Sequence, residues 1–131
     1  MAVPTILLLP DDPLSGLRAL SNLQTFGYDL LVAGSPPEAL SLLEAHPRIG
    51  VLVVGANLPD GRGLALAQAA RALHPRLIVI YTSHMPHRLP EREKVPGAPC
   101  LRVPYHPHQL VSLIGHLFRR GAEDEDASHA A

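Results

Sequence analysis

The sequence predicts an α/β domain in which a parallel sheet is covered by helices on both faces. Five short apolar runs, at residues 5–9, 28–33, 51–54, 77–81 and 100–103, have strand length and are rich in Leu, Ile and Val. Amphipathic segments of helical period alternate with them across short loops. Strands joined in this way need crossover connections, so their neighbours are parallel and the helices lie on both sides.

Thr5 to Leu9 is an apolar run stopped by Pro10, Asp11, Asp12 and Pro13, a buried strand entering an acidic loop. Asp12 is placed to cap a helix with Pro13 at its first position, and Leu14, Leu17, Leu20 and Leu23 carry that helix to Phe26 and Gly27. Tyr28 to Ala33 reads as the second strand. Ser35-Pro36-Pro37-Glu38 is a capping box that opens a helix with Leu40, Leu42 and Leu43 on its apolar face, closed at His46-Pro47. Val51 to Val54, between Gly50 and Gly55, is the most apolar strand and belongs at the sheet centre. After the turn-rich loop GANLPDGRG, Leu64 to Leu73 forms an alanine-rich helix with Leu66, Ala69, Ala70 and Leu73 on one face, stopped by His74-Pro75. Leu77 to Tyr81 is the fourth strand, with the hydroxyls of Thr82 and Ser83 in the loop after it.

Between Ser83 and Pro99, four prolines leave room for about one and a half helical turns, so the fourth helix is expected to be short or absent, with one of two outcomes: receiver-type dimerisation is weakened, or Met85, Leu89 and Val95 become contacts for a different partner. Cys100 to Val103 is the fifth strand. Pro107 begins a last helix with Leu110, Leu113, Ile114 and Leu117 on one face. Residues 1–120 read as one domain and residues 121–131, GAEDEDASHAA, as an acidic disordered tail. The sequence shows no internal repeat.

Composition narrows function by exclusion. A net charge of -1 with 18% charged residues provides no basic field for nucleic acid, and 47% hydrophobic residues suit a packed core. No apolar run reaches the roughly 18 residues that span a bilayer. The single cysteine excludes an intramolecular disulfide and fits the cytoplasm.

With the loops placed, the chain resembles the receiver domain of bacterial response regulators over roughly residues 5 to 118. ILLLPDDP is similar to that family's first strand and acidic loop, VLVVGANLPDGRG to its phosphoacceptor strand and following loop, LIVIYTS to its fourth strand and LRVPY to its fifth. The resemblance implies a doubly wound five-stranded parallel sheet of flavodoxin-like, CheY-like type with strand order 2-1-3-4-5. It also implies transfer of a phosphoryl group from a histidine kinase to an aspartate at the tip of the third strand. That position is Gly55, which has no carboxylate to form the phosphoanhydride. The family's lysine falls at Val103, which brings no positive charge to the phosphoryl oxygens. Pro10 replaces one family acid, while Asp11 and Asp12 match the other two. Asn57 matches the position whose carbonyl contributes to metal binding, Thr82 the hydroxyl residue and Pro104 the proline after the lysine, whereas the aromatic switch position falls on Cys100.

Each of these residues also has a structural reading. Asp11 and Asp12 are the weak candidates for Mg²⁺, yet helix capping by Asp12 accounts for the pair without a metal. Asp60 lies in an ordinary Pro59-Asp60-Gly61 turn. His84 and His87, with His106 and His108, lie beside prolines in loops and match no closed zinc motif. Cys100 reads as a small buried strand residue. The sequence thus predicts a non-phosphorylatable pseudo-receiver: a protein-interaction module, not an enzyme, with no cofactor. Its expected partner is a histidine kinase, a phosphotransfer protein or another regulator, met through the helix Leu14 to Phe26, or a second copy met through the last helix. The alternative is a small-ligand sensor that uses the pocket left empty at the strand tips; a metal-assisted hydrolase ranks last.

Overall fold

The structure, a computed structural model, describes residues 5–9, 27–56, 62–83, 94–95, 97–102 and 108–118. Its strands are β1 (Thr5–Leu9), β2 (Asp29–Val32), β3 (Ile49–Gly55), β4 (Ile78–Ser83) and β5 (Cys100–Arg102). All neighbouring pairs are parallel, and the order across the sheet is β2-β1-β3-β4-β5. The helices among the described residues are α1 (Pro36–Ala45), α2 (Arg62–Leu73) and α3 (108–118). The predicted fold class and strand order are those observed. No helix among the described residues is long and apolar enough to cross a membrane.

Alternation along the strands divides the core into two layers. Leu7 and Leu9 of β1, Leu52 and Val54 of β3 and Val79 and Tyr81 of β4 face α1 and α2, where Ala39, Leu43, Leu66, Ala67 and Ala70 meet them. Ile6 and Leu8, Val51 and Val53, and Ile80 face the other way, onto Leu110 and Ile114 of α3. Five residues of β3, Val51 to Gly55, are buried without a break because that strand is covered on both faces. Gly50 is the extra residue of a bulge: Thr5 pairs with Ile49 and Ile6 with Val51.

The capping box forms with one change. Ser35 is the N-cap and its Oγ accepts from the Glu38 amide at 3.3 Å, but the Glu38 carboxylate accepts from the Gly34 amide, at 3.1 Å, one residue before the N-cap. On α2 the predicted stripe is displaced. Gly63, Leu64, Leu66, Ala67 and Ala70 are buried, whereas Ala69 is exposed and Leu73 is 46% exposed. The buried series steps from Gly63 by three, four and seven residues, and a glycine gives an apolar-periodicity reading nothing to start from.

The predicted fourth-helix segment falls largely outside the described residues, as does the Leu14 to Phe26 helix. Residues 94, 95 and 97–99 are not helical. Gly97, at φ +78°, turns the chain, the Ala98 amide donates to the Val95 carbonyl at 3.1 Å, and the Tyr81 amide donates to the Pro99 carbonyl at 2.9 Å. Val95 is therefore not a contact for a partner: it is 3% exposed and packs with Ala98 in the α1–α2 layer.

Candidate functional site

Because all five strands are parallel, their carboxyl ends form one edge of the sheet, the edge at which open α/β folds place their sites. Gly55 ends β3 in direct register with Thr82 of β4, and the Ala56 amide donates to the Thr82 carbonyl at 2.8 Å. Two backbones thus meet at the centre of the edge with no acidic side chain on β3. The first turn of α2 closes on the same point. A Cβ at Gly63 would collide with the carbonyl oxygen of Gly55 and lie 3.2 Å from its carbon, so helix and strand tip meet backbone to backbone.

Thr82 and Ser83 belong to β4 and are buried, which corrects the prediction that both hydroxyls lie in the following loop. Ser83 pairs with Arg102 across β4 and β5. Cys100 pairs with Tyr81, one residue before Thr82, and is half-buried instead of enclosed. Burial pushes its thiol up from the usual range, with Lys94 pulling weakly the other way, so at neutral pH it is a thiol and a poor nucleophile.

Tyr81 escaped the sequence reading, which used it only to end a strand. Its ring is fully buried, and its hydroxyl accepts from the Val95 amide at 2.9 Å. Burial raises its pKa, while the bond to Val95 and the Arg71 guanidinium act in the opposite direction. A neutral phenol therefore pins the chain between β4 and β5 to the sheet. The available signal was general: a buried tyrosine needs a partner for its hydroxyl.

Of the residues singled out from the sequence, Gly55 and Thr82 are brought together, and Cys100 lies on the adjoining strand. Pro10, Asp11, Asp12, Asn57, Val103 and Pro104 lie outside the described residues, as do Asp60, His84, His87 and His106. His108 is exposed at the start of α3. Among the described residues no group of three or more His, Cys, Asp or Glu is placed to hold a metal ion. The described part of this edge presents backbone amides and carbonyls and two buried hydroxyls. No carboxylate nucleophile lies on β3 itself.

The fold has close counterparts among solved structures. A CheY-like response regulator receiver domain protein from Methanospirillum hungatei superposes with a TM-score of 0.79 at 23% identity, covering 93% of this chain and 99% of that one. The fold is the CheY-like receiver fold. A receiver domain protein from Clostridium thermocellum gives a TM-score of 0.78 at 20% identity, over 92% of this chain and 98% of that one. In sequence, the chain is 28% identical over 127 residues to the transcriptional regulatory protein AruR of Pseudomonas aeruginosa, covering 90% of this chain and 50% of that protein. It is 28% identical over 81 residues to the sensor protein TorS of Escherichia coli, covering 61% of this chain and 9% of TorS. The chain thus spans half or less of the length of these two relatives. No family model matches the sequence.

Proposed function

We propose that this chain is a receiver-type signalling module of a two-component or related regulatory system that has given up phosphoryl acceptance and works by binding protein. The observation that carries the reading is Gly55 at the end of the central strand, in a receiver fold whose strand order is otherwise complete. A phosphoanhydride requires a carboxylate at that point, and glycine offers only backbone. Val103, at the position of the family's lysine, agrees with the same loss, since a lysine there has charge to neutralise only when a phosphoryl group is present. The half-buried thiol at Cys100 in place of the switch aromatic follows the same logic.

Such a module keeps the shape by which receivers are recognised and loses the chemistry by which they are switched. Its partner is a histidine kinase, a phosphotransfer protein or another regulator, and its binding is constitutive. The test is a pull-down from the source cell with the full chain as bait, with and without ATP and Mg²⁺. Recovery of one of these partner types in equal amount under both conditions is expected. Recovery that depends on a phosphodonor would contradict the reading.

A further inference from the structure

The edge opposite the candidate site, where β3 and β4 begin, carries a groove that the receiver reading does not use. The His46 amide donates to the Leu42 carbonyl at the end of α1, and the His74 amide to the Ala70 carbonyl at the end of α2, each at 2.9 Å. A proline follows each histidine. The turns close through Ile49 N–H to the His46 carbonyl at 3.1 Å and Leu77 N–H to the His74 carbonyl at 2.9 Å, and they lead into neighbouring strands.

At these turns lies an open groove of about 380 Å³ lined by Pro47, Gly50, His74, Pro75 and Leu77. Small-ligand sites hold roughly 300–1,000 Å³, so the groove suits a small molecule. The backbone explains the space. Thr5 of β1 pairs with Ile49 and Ile6 with Val51, so the bulge residue Gly50 has no counterpart on β1 and no side chain to fill the gap. Pro47 and Pro75, both exposed, add apolar rings without an N–H.

His74 supplies the polar group. The Leu43 carbonyl belongs to the last turn of α1, and the residue four positions on, which would donate to it in a continuing helix, is Pro47. Proline has no N–H to give, and His74 Nε2 takes its place, 3.0 Å from the Leu43 oxygen. A carbonyl only accepts, so Nε2 carries the hydrogen and Nδ1 of the neutral ring is left as an acceptor. The bond to α1 thus fixes both the tautomer and the orientation of a ring that lines the groove. Arg76 lines it as well, and its positive charge opposes a cationic ligand.

We propose that this groove binds a small, planar, uncharged aromatic molecule of the indole or phenol class, its ring against Pro47 and Pro75 and its N–H or O–H donated to His74 Nδ1. Each part of the lining matches one part of such a ligand: apolar rings and a bare glycine for its faces, one fixed acceptor for its one donor. The site is distinct from the strand-tip pocket considered from the sequence, which belongs to the carboxyl edge of the sheet, and it does not depend on the protein-binding role proposed above.

The experiment is an amide NMR titration of the full chain with indole at about pH 8, where imidazoles are ordinarily neutral. Benzothiophene, of nearly the same shape but with sulfur in place of N–H, is the comparison. Indole is expected to move the amides of Ile49, Gly50 and Leu77 and to saturate at roughly millimolar concentration, as befits a ligand of about nine non-hydrogen atoms. His74→Gln keeps a donor for the Leu43 carbonyl but has no acceptor at the position of Nδ1. It should lower the preference for indole over benzothiophene by roughly fivefold, the worth of one neutral hydrogen bond. Pro75→Ser should weaken both probes alike and leave the preference in place. Ring nitrogen spectra of the parent chain give a reading that needs no variant: Nε2 should be the protonated nitrogen, and Nδ1 should shift as indole is added. Groove amides that ignore indole would overturn the proposal, as would a preference unchanged in His74→Gln or an Nδ1 signal that stays still while the amides move.

Discussion

Replacing Gly63 by alanine tests the backbone contact between α2 and the end of β3, and the same replacement at Gly115 is its control. Alanine in place of a helical glycine ordinarily stabilises by about 0.5–1 kcal/mol, because the unfolded chain has less freedom to lose. At Gly115, in α3, an added Cβ meets nothing within 4 Å, so that gain should appear in full. At Gly63 the new methyl collides with the Gly55 carbonyl oxygen, which belongs to a strand held on both sides and cannot turn aside. The first turn of α2 must withdraw by on the order of 1 Å, loosening Leu64 and Ala67, and overpacking of this kind costs about 1–3 kcal/mol. After the helix gain is subtracted, Gly63→Ala should destabilise by roughly 0.5–2 kcal/mol while Gly115→Ala stabilises. For a domain of this length these are opposite shifts in Tm of a few degrees, near 3–5 °C per kcal/mol, and urea unfolding with unchanged m supplies the free energies. A Gly63→Ala chain as stable as the parent would refute the close approach and, with it, the described geometry of the strand tip.

Further outcomes follow from the same structure. Tyr81→Phe keeps the ring but orphans the buried Val95 amide, so it should destabilise by about 1–3 kcal/mol and raise hydrogen exchange at Val95 and Ala98. The folded-state pKa of Tyr81 is raised above 10.0, so its contribution is complete below pH 10 and is lost as pH rises past that value; Tyr81→Phe should flatten the alkaline limb of a stability profile. Cys100, also raised above its ordinary 9.0, should react with a thiol reagent at pH 8 more slowly than a cysteine peptide, and the gap should close in urea. Ser35→Ala removes the cap of α1 and should cost about 1 kcal/mol by thermal unfolding.

The frame was legible because the signals that specify it are local. Val51 to Val54 between glycines, Ser35-Pro36-Pro37-Glu38 before a helix, and Leu110 with Ile114 at helical spacing each name an element and its buried face without outside help. The absence at Gly55 was legible once the strand was placed, since a strand's last residue is set by its length. What escaped depended on partners remote in sequence. Gly63 anchors the buried stripe of α2 only because Gly55 lies against it. Tyr81 is a pin only because Val95 returns to it fourteen residues later. Thr82 and Ser83 were placed in a loop because polar residues after an apolar run imitate a strand end, whereas pairing with β3 and β5 carries β4 through both.

The central claim, that this receiver fold no longer accepts a phosphoryl group, is tested most directly by intact mass measurement after incubation with acetyl phosphate and Mg²⁺. The account predicts no adduct on the parent chain, little on Gly55→Asp, which still lacks the positive charge absent at Val103, and more on Gly55→Asp combined with Val103→Lys. A stoichiometric adduct on the parent chain that hydroxylamine removes would place an acyl phosphate on another carboxylate and contradict the account.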